Sequence, residues 1–177
     1  MARSWQYRSC MTTLRVQFIH GLEGSPTGAK AQLFAAHFTA LTPAMDTSDF
    51  PACVELQAAT LASFQPDVLV GSSFGGAVAV ALLQRGIWRG PTLLLAQAAR
   101  HCGLPVRLPE GVHVWLAHGQ RDDVVDIEDS RVLARTGTPE LVRLIEVDDD
   151  HSLYTMVESG RLVEVVRELA AAAIHPR

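Results

Sequence analysis

Short apolar runs recur along this chain with segments of helical spacing between them, and that alternation constrains the fold more than any other feature. The runs are LRVQFIH from Leu14, DVLVG from Asp67, TLLLA from Thr92, VHVWLAH from Val112 and LVRLIEV from Leu141. They are rich in Val, Leu and Ile, and the middle ones hardly alternate, as strands buried on both faces do. Between them, Leu33, Phe34, His37, Phe38 and Leu41 fall on one helical stripe, and Leu162, Val163, Val166, Leu169, Ala170 and Ala173 fall on another. Strand and helix in alternation mean a parallel sheet covered on both sides. A weaker strand around residues 41–45 brings the count to about six, a common sheet size.

A chain of 177 residues, 48% of them hydrophobic, suits one globular core. No repeat or low-complexity tract divides it, so residues 14–177 read as a single domain. Residues 1–13 read as a loose leader, with Met11 an alternative start. The net charge of -4 leaves no basic stripe, which argues against nucleic acid or an anionic membrane surface as partner and for a small neutral or apolar ligand. Cys10, Cys53 and Cys102 are odd in number and lack C-x-x-C spacing, against both a disulfide framework and a zinc site. No motif asks for a cofactor or metal. With no secretory h-region and no span of membrane length, a soluble protein of the reducing cytoplasm is expected.

In an open parallel sheet, ligands sit beyond the carboxyl ends of the strands. GSSFG, Gly71 to Gly75, fits G-x-S-x-G directly after a buried strand and before a helix with no charge until Arg85. Ser73 is the candidate nucleophile. So sharp a turn strains the serine backbone and leaves no room for side chains at Gly71 and Gly75. Ser72 competes, but its flanking glycines are out of register. Phosphate loops fit worse. GSSFGG lacks the second glycine of G-x-G-x-x-G, and GSPTGAK has Ala29 where a P-loop requires glycine.

A serine hydroxyl needs a base to take its proton and a third group to orient that base. HGQRDDVVD places Asp122 at the fifth position of H-G-x-x-D after a strand, whereas Asp123 and Asp126 more simply begin a helix. EVDDDHSL ends the last strand with His151, the candidate base. Its rival is His101, on the loop after TLLLA. His20 and His118 each precede a glycine and read as loop-shaping, His37 as packing, His113 as a strand residue and His175 as tail. Asp148, Asp149 and Asp150 immediately precede His151 and are expected to act on it electrostatically. In FIHGLEGSP, the H-G pair at an early strand end lets the backbone approach closely, so the N–H groups of Leu22 and Phe74 could form an oxyanion hole.

With these residues together, the chain resembles an α/β-hydrolase, and more narrowly the small lidless bacterial esterases of the uncharacterised-esterase type that begin near an HG-x-x-S-P motif. The matching stretches are FIHGLEGSPTGAKAQLF, VGSSFGGAVAVALL, HGQRDDVVD and DDDHSL, within a resemblance spanning residues 14–169. It implies a compact α/β fold of about six mostly parallel strands, in the order 4-3-5-6-7-8 of the larger family fold, with helices on both faces and no lid domain. It also implies a serine hydrolase with Ser73 as nucleophile, Asp122 as orienting acid and His151 as base, in the usual chain order. The expected reaction is cleavage of small or short-chain carboxylic esters through an acyl-enzyme. A thioesterase would use the same parts, and a binding module could keep the fold without the chemistry. A small-molecule ester or thioester is the expected partner.

Overall fold

A computed structural model describes residues 13–174. The expected leader, apart from Thr13, lies outside those residues, as do Cys10, Met11 and His175. In chain order the elements are β1 (Arg15–Ile19), α1 (Ala29–His37), β2 (Thr39–Leu41), α2 (Phe50–Phe64), β3 (Val68–Ser72), α3 (Phe74–Gln84), β4 (Thr92–Leu95), β5 (Val114–Gly119), α4 (Ile127–Ala134), β6 (Val142–Val147), α5 (Tyr154–Glu158) and α6 (Arg161–Ile174).

All five apolar runs are strands. They join β2 in one sheet of six strands ordered β2-β1-β3-β4-β5-β6, every neighbouring pair parallel. This is the expected order once the first two strands of the larger fold are left off. The weak strand lies at Thr39–Leu41, upstream of its expected place, and its exposed edge position explains the faint signal. β3, β4 and β5 are buried throughout because helices cover both faces.

On one face, Val78 and Leu82 of α3 pack with Val54 and Leu61 of α2 and Leu133 of α4. Every residue of α3 from Phe74 to Leu83 is buried, which accounts for the absence of charge before Arg85. On the other face, Phe34 of α1 packs with Met156 of α5 and with Leu162, Val166 and Leu169 of α6. Each such side chain contributes about 1.5–3 kcal/mol on full burial. The expected α1 stripe is cut short. The backbone turns extended at Phe38 (φ −137°, ψ 166°), so Phe38 still packs inward, but His37 is exposed rather than packed and Leu41 falls on β2, also exposed.

Between β4 and β5, residues 96–113 form neither helix nor strand. This stretch is pinned instead by side chains: the Gln84 amide donates to the carbonyls of Pro105 and Arg107 (2.7 and 2.8 Å), and Thr136 Oγ1 accepts from the N–H of Leu108 (2.9 Å). Among the described residues, no helix is long and apolar enough to cross a membrane.

Candidate active site

Ser73 stands between β3 and α3 at φ 54° and ψ −116°, a backbone conformation that costs a non-glycine residue about 1–3 kcal/mol. Main-chain bonds on both sides hold it there. Its N–H donates to the Leu95 carbonyl at 2.8 Å, and its carbonyl accepts from the N–H groups of Ala77 and Ala98, each at 3.1 Å. The flanking glycines are steric necessities. A Cβ on Gly75 would collide with the Ile19 carbonyl, and one on Gly71 would meet the Gly75 oxygen at 2.5 Å.

His151, on the loop between β6 and α5, reaches back over this turn. Its Nε2 is 3.0 Å from Ser73 Oγ and its Nδ1 is 2.7 Å from Asp122 Oδ2. Facing a carboxylate, Nδ1 carries the ring proton, which leaves Nε2 to accept from the serine hydroxyl. The Asp122 side chain is fully buried, and its Oδ1 accepts from the N–H groups of Val124 (2.9 Å) and Val125 (2.8 Å). Burial pushes this carboxyl up, but the donors from Val125, His151 and Val124 outweigh it and hold the pKa below the ordinary carboxylate value. The acid is thus ionised beside the imidazole. Ser73, His151 and Asp122 are thus joined in one line of hydrogen bonds.

The competing residues go elsewhere. Asp126 caps α4, accepting from the Glu128 N–H at 2.9 Å, while Asp123 is exposed at the rim and His101 is exposed on its loop. Each acid of the run before His151 also has partners of its own. Asp148 pairs with Arg121 at 2.7 Å, buried Asp149 accepts from the N–H groups of Asp150, Thr155 and Met156, and Asp150 accepts from the N–H and hydroxyl of Ser152. These bonds fold the histidine loop, because each carboxylate has its own donors.

One residue of this neighbourhood was read from the sequence only as loop-shaping. His118, wholly buried at the end of β5, donates from Nε2 to the Val125 carbonyl at 3.0 Å and lies 3.0 Å from Asp122 Oδ2. The H-G-x-x-D spacing that pointed to Asp122 also contains this histidine, so the signal was present in the motif.

Ser73 and His151 open into a cavity of about 570 Å³, lined also by His20, Leu22, Lys30, Val124 and Tyr154. Leu22 follows β1 and Phe74 begins α3; among the described residues neither N–H donates to a protein acceptor. Leu22, Val124 and Tyr154 are 61%, 59% and 62% exposed, which makes part of the rim apolar. Lys30, the sole lysine of the chain, lies in the same cavity; burial pushes its ammonium down, opposed by Asp150 and Asp149. Among the described residues, no group of three or more His, Cys, Asp or Glu is placed to hold a metal ion.

Comparison with solved structures defines the class of fold. A candidate hydrolase from Agrobacterium vitis S4 is 19% identical with a TM-score of 0.70, over 89% of this chain and 88% of that one. A candidate hydrolase of the α/β superfamily from Xanthomonas campestris pv. campestris is 21% identical, TM-score 0.70, over 88% and 99%. A monoacylglycerol lipase from Paleococcus ferrophilus is 12% identical, TM-score 0.68, over 89% and 94%. The chain has the α/β-hydrolase fold in a compact form. No family model matches the sequence, and neither does any curated protein.

Proposed function

We propose that this protein is a serine hydrolase that cleaves small or short-chain carboxylic esters through an acyl-enzyme. The observation that carries the reading is the pair of bonds made by His151, 3.0 Å to Ser73 Oγ and 2.7 Å to Asp122 Oδ2. His151 Nε2 takes the Ser73 proton as Oγ attacks the acyl carbonyl, and Asp122 stabilises the imidazolium that forms. The resulting oxyanion is met by the N–H groups of Leu22 and Phe74. His151 then returns the proton to the departing alcohol. Water repeats the sequence: His151 takes its proton, the hydroxide oxygen attacks the acyl carbon, and Ser73 leaves with the proton restored.

The neighbours described as esterase or lipase agree with this chemistry. Cys53 and Cys102 are free, which suits action in a reducing cytoplasm. Turnover of p-nitrophenyl acetate and butyrate by the wild type, Ser73→Ala and Ser72→Ala tests the reading. Ser73→Ala is expected to lower kcat by several orders of magnitude and Ser72→Ala far less. Near-normal turnover by Ser73→Ala would remove Ser73 as nucleophile. A matched thioester of the same acyl group, assayed alongside, separates esterase from thioesterase.

A further inference from the structure

The buried polar groups behind Asp122 form a chain with one direction. His118 Nε2 faces two acceptors, the Val125 carbonyl and Asp122 Oδ2, both at 3.0 Å, so the ring proton sits on Nε2. The Ser130 hydroxyl of α4 lies 2.7 Å from Nδ1 and donates to it. Ser130 Oγ in turn accepts from the Gln97 amide at 3.3 Å, and Gln97 Oε1 accepts from the Ala99 N–H at 2.9 Å. His118, Ser130 and Gln97 are each no more than 1% exposed. The chain begins beside the nucleophile helix, where a Cβ on Gly76 would come within 2.8 Å of Gln97 Cβ. It ends at the Val125 carbonyl, in the turn that holds the acid.

We infer that His118 is a positioning residue for Asp122, holding the carboxylate so that Oδ2 meets His151. This rests on the triad proposed above. The hold is twofold. Val125 is gripped from both sides, its carbonyl by the His118 N–H and its own N–H by Asp122 Oδ1, which closes the turn around the carboxylate. His118 Nε2 also lies 3.0 Å from Oδ2, the oxygen that accepts the hydrogen bond of His151 Nδ1. Apolar side chains would fill the same space. They would leave the Val125 carbonyl without its donor and Asp122 free to turn from His151.

A double-mutant cycle tests this, with kcat and KM measured on p-nitrophenyl butyrate and the fold checked by circular dichroism. His118→Phe is expected to lower kcat about tenfold to a hundredfold with KM within about twofold, the range typical of groups that orient a ligand through its outer contacts. His118→Gln, whose amide can donate to Val125, is expected to recover most of the loss. In an Asp122→Ala background, His118→Phe is expected to change kcat less than about twofold, because its route of action is gone. An equal loss in both backgrounds, or no loss in the wild type, would overturn the inference. Ser130→Ala, which removes the hydroxyl behind the ring, gives a smaller loss of the same kind and substitutes if His118→Phe does not fold. The downfield NMR resonance of the His151 Nδ1 proton reads the same contact without turnover. It is expected to move in His118→Phe, and an unmoved resonance would refute the positioning role even if no ester proved to be a substrate.

Discussion

At the residue scale, neighbouring acids are told apart by what surrounds them. Asp122 is buried and bonded to His151, while Asp123 is exposed one position later. Asp122→Asn is expected to lower kcat/KM by about three to four orders of magnitude, because the amide cannot hold the imidazole tautomer or stabilise its cation. Asp123→Asn should change it less than about threefold. Equal losses on one ester would misplace the acid. The hydrogen-bonded grouping of Ser73, Asp122 and His151 was legible because their motifs fix both spacing and strand-end position. The H-G-x-x-D spacing also brings His118 to Asp122, but its burial was not legible, since that depends on α4 docking Ser130 against the ring.

At the element scale, the central strands were legible for the same reason that they are central: coverage on both faces selects continuous apolar runs. β2 and the end of the α1 stripe were harder to read. A three-residue edge strand needs little hydrophobicity, and a helical stripe read from sequence does not show where the backbone leaves the helix. α4 and β6 carry a further contact, a bidentate bridge from Arg131 to Glu146 at 2.7 and 2.8 Å. The Arg131 hydrogen bonds hold the Glu146 carboxyl down to about 2, against opposing burial. Because the folded pKa lies below the unfolded value of about 4.3, this contribution is present above that value and is lost as pH falls towards the folded one. Glu146→Gln should therefore lower the urea midpoint at pH 7 and leave it almost unchanged near pH 2. The same difference at both values would deny the bridge a role in stability.

At the scale of the whole molecule, one sheet brings three strand ends to one opening: β3 delivers Ser73, β5 delivers Asp122 and β6 delivers His151. The connection where a lid would stand, residues 96–113, holds no helix or strand. Leu22, Val124 and Tyr154 offer apolar surface at the mouth, but each is more than half exposed. A long acyl chain laid there stays partly in water and gains only a fraction of the roughly 0.8 kcal/mol per methylene that full burial supplies. We expect kcat/KM on p-nitrophenyl esters to be highest for short chains and to fall towards laurate. A rise through the longest chains would contradict the open site.

All of this depends on His151 activating Ser73, and a fluorophosphonate probe reads that activation directly. Mass mapping of the labelled protein is expected to find the phosphonyl group on Ser73, with labelling lost in Ser73→Ala and slowed by orders of magnitude in His151→Ala. Label on another residue, or labelling of Ser73 at an undiminished rate in His151→Ala, would contradict the account.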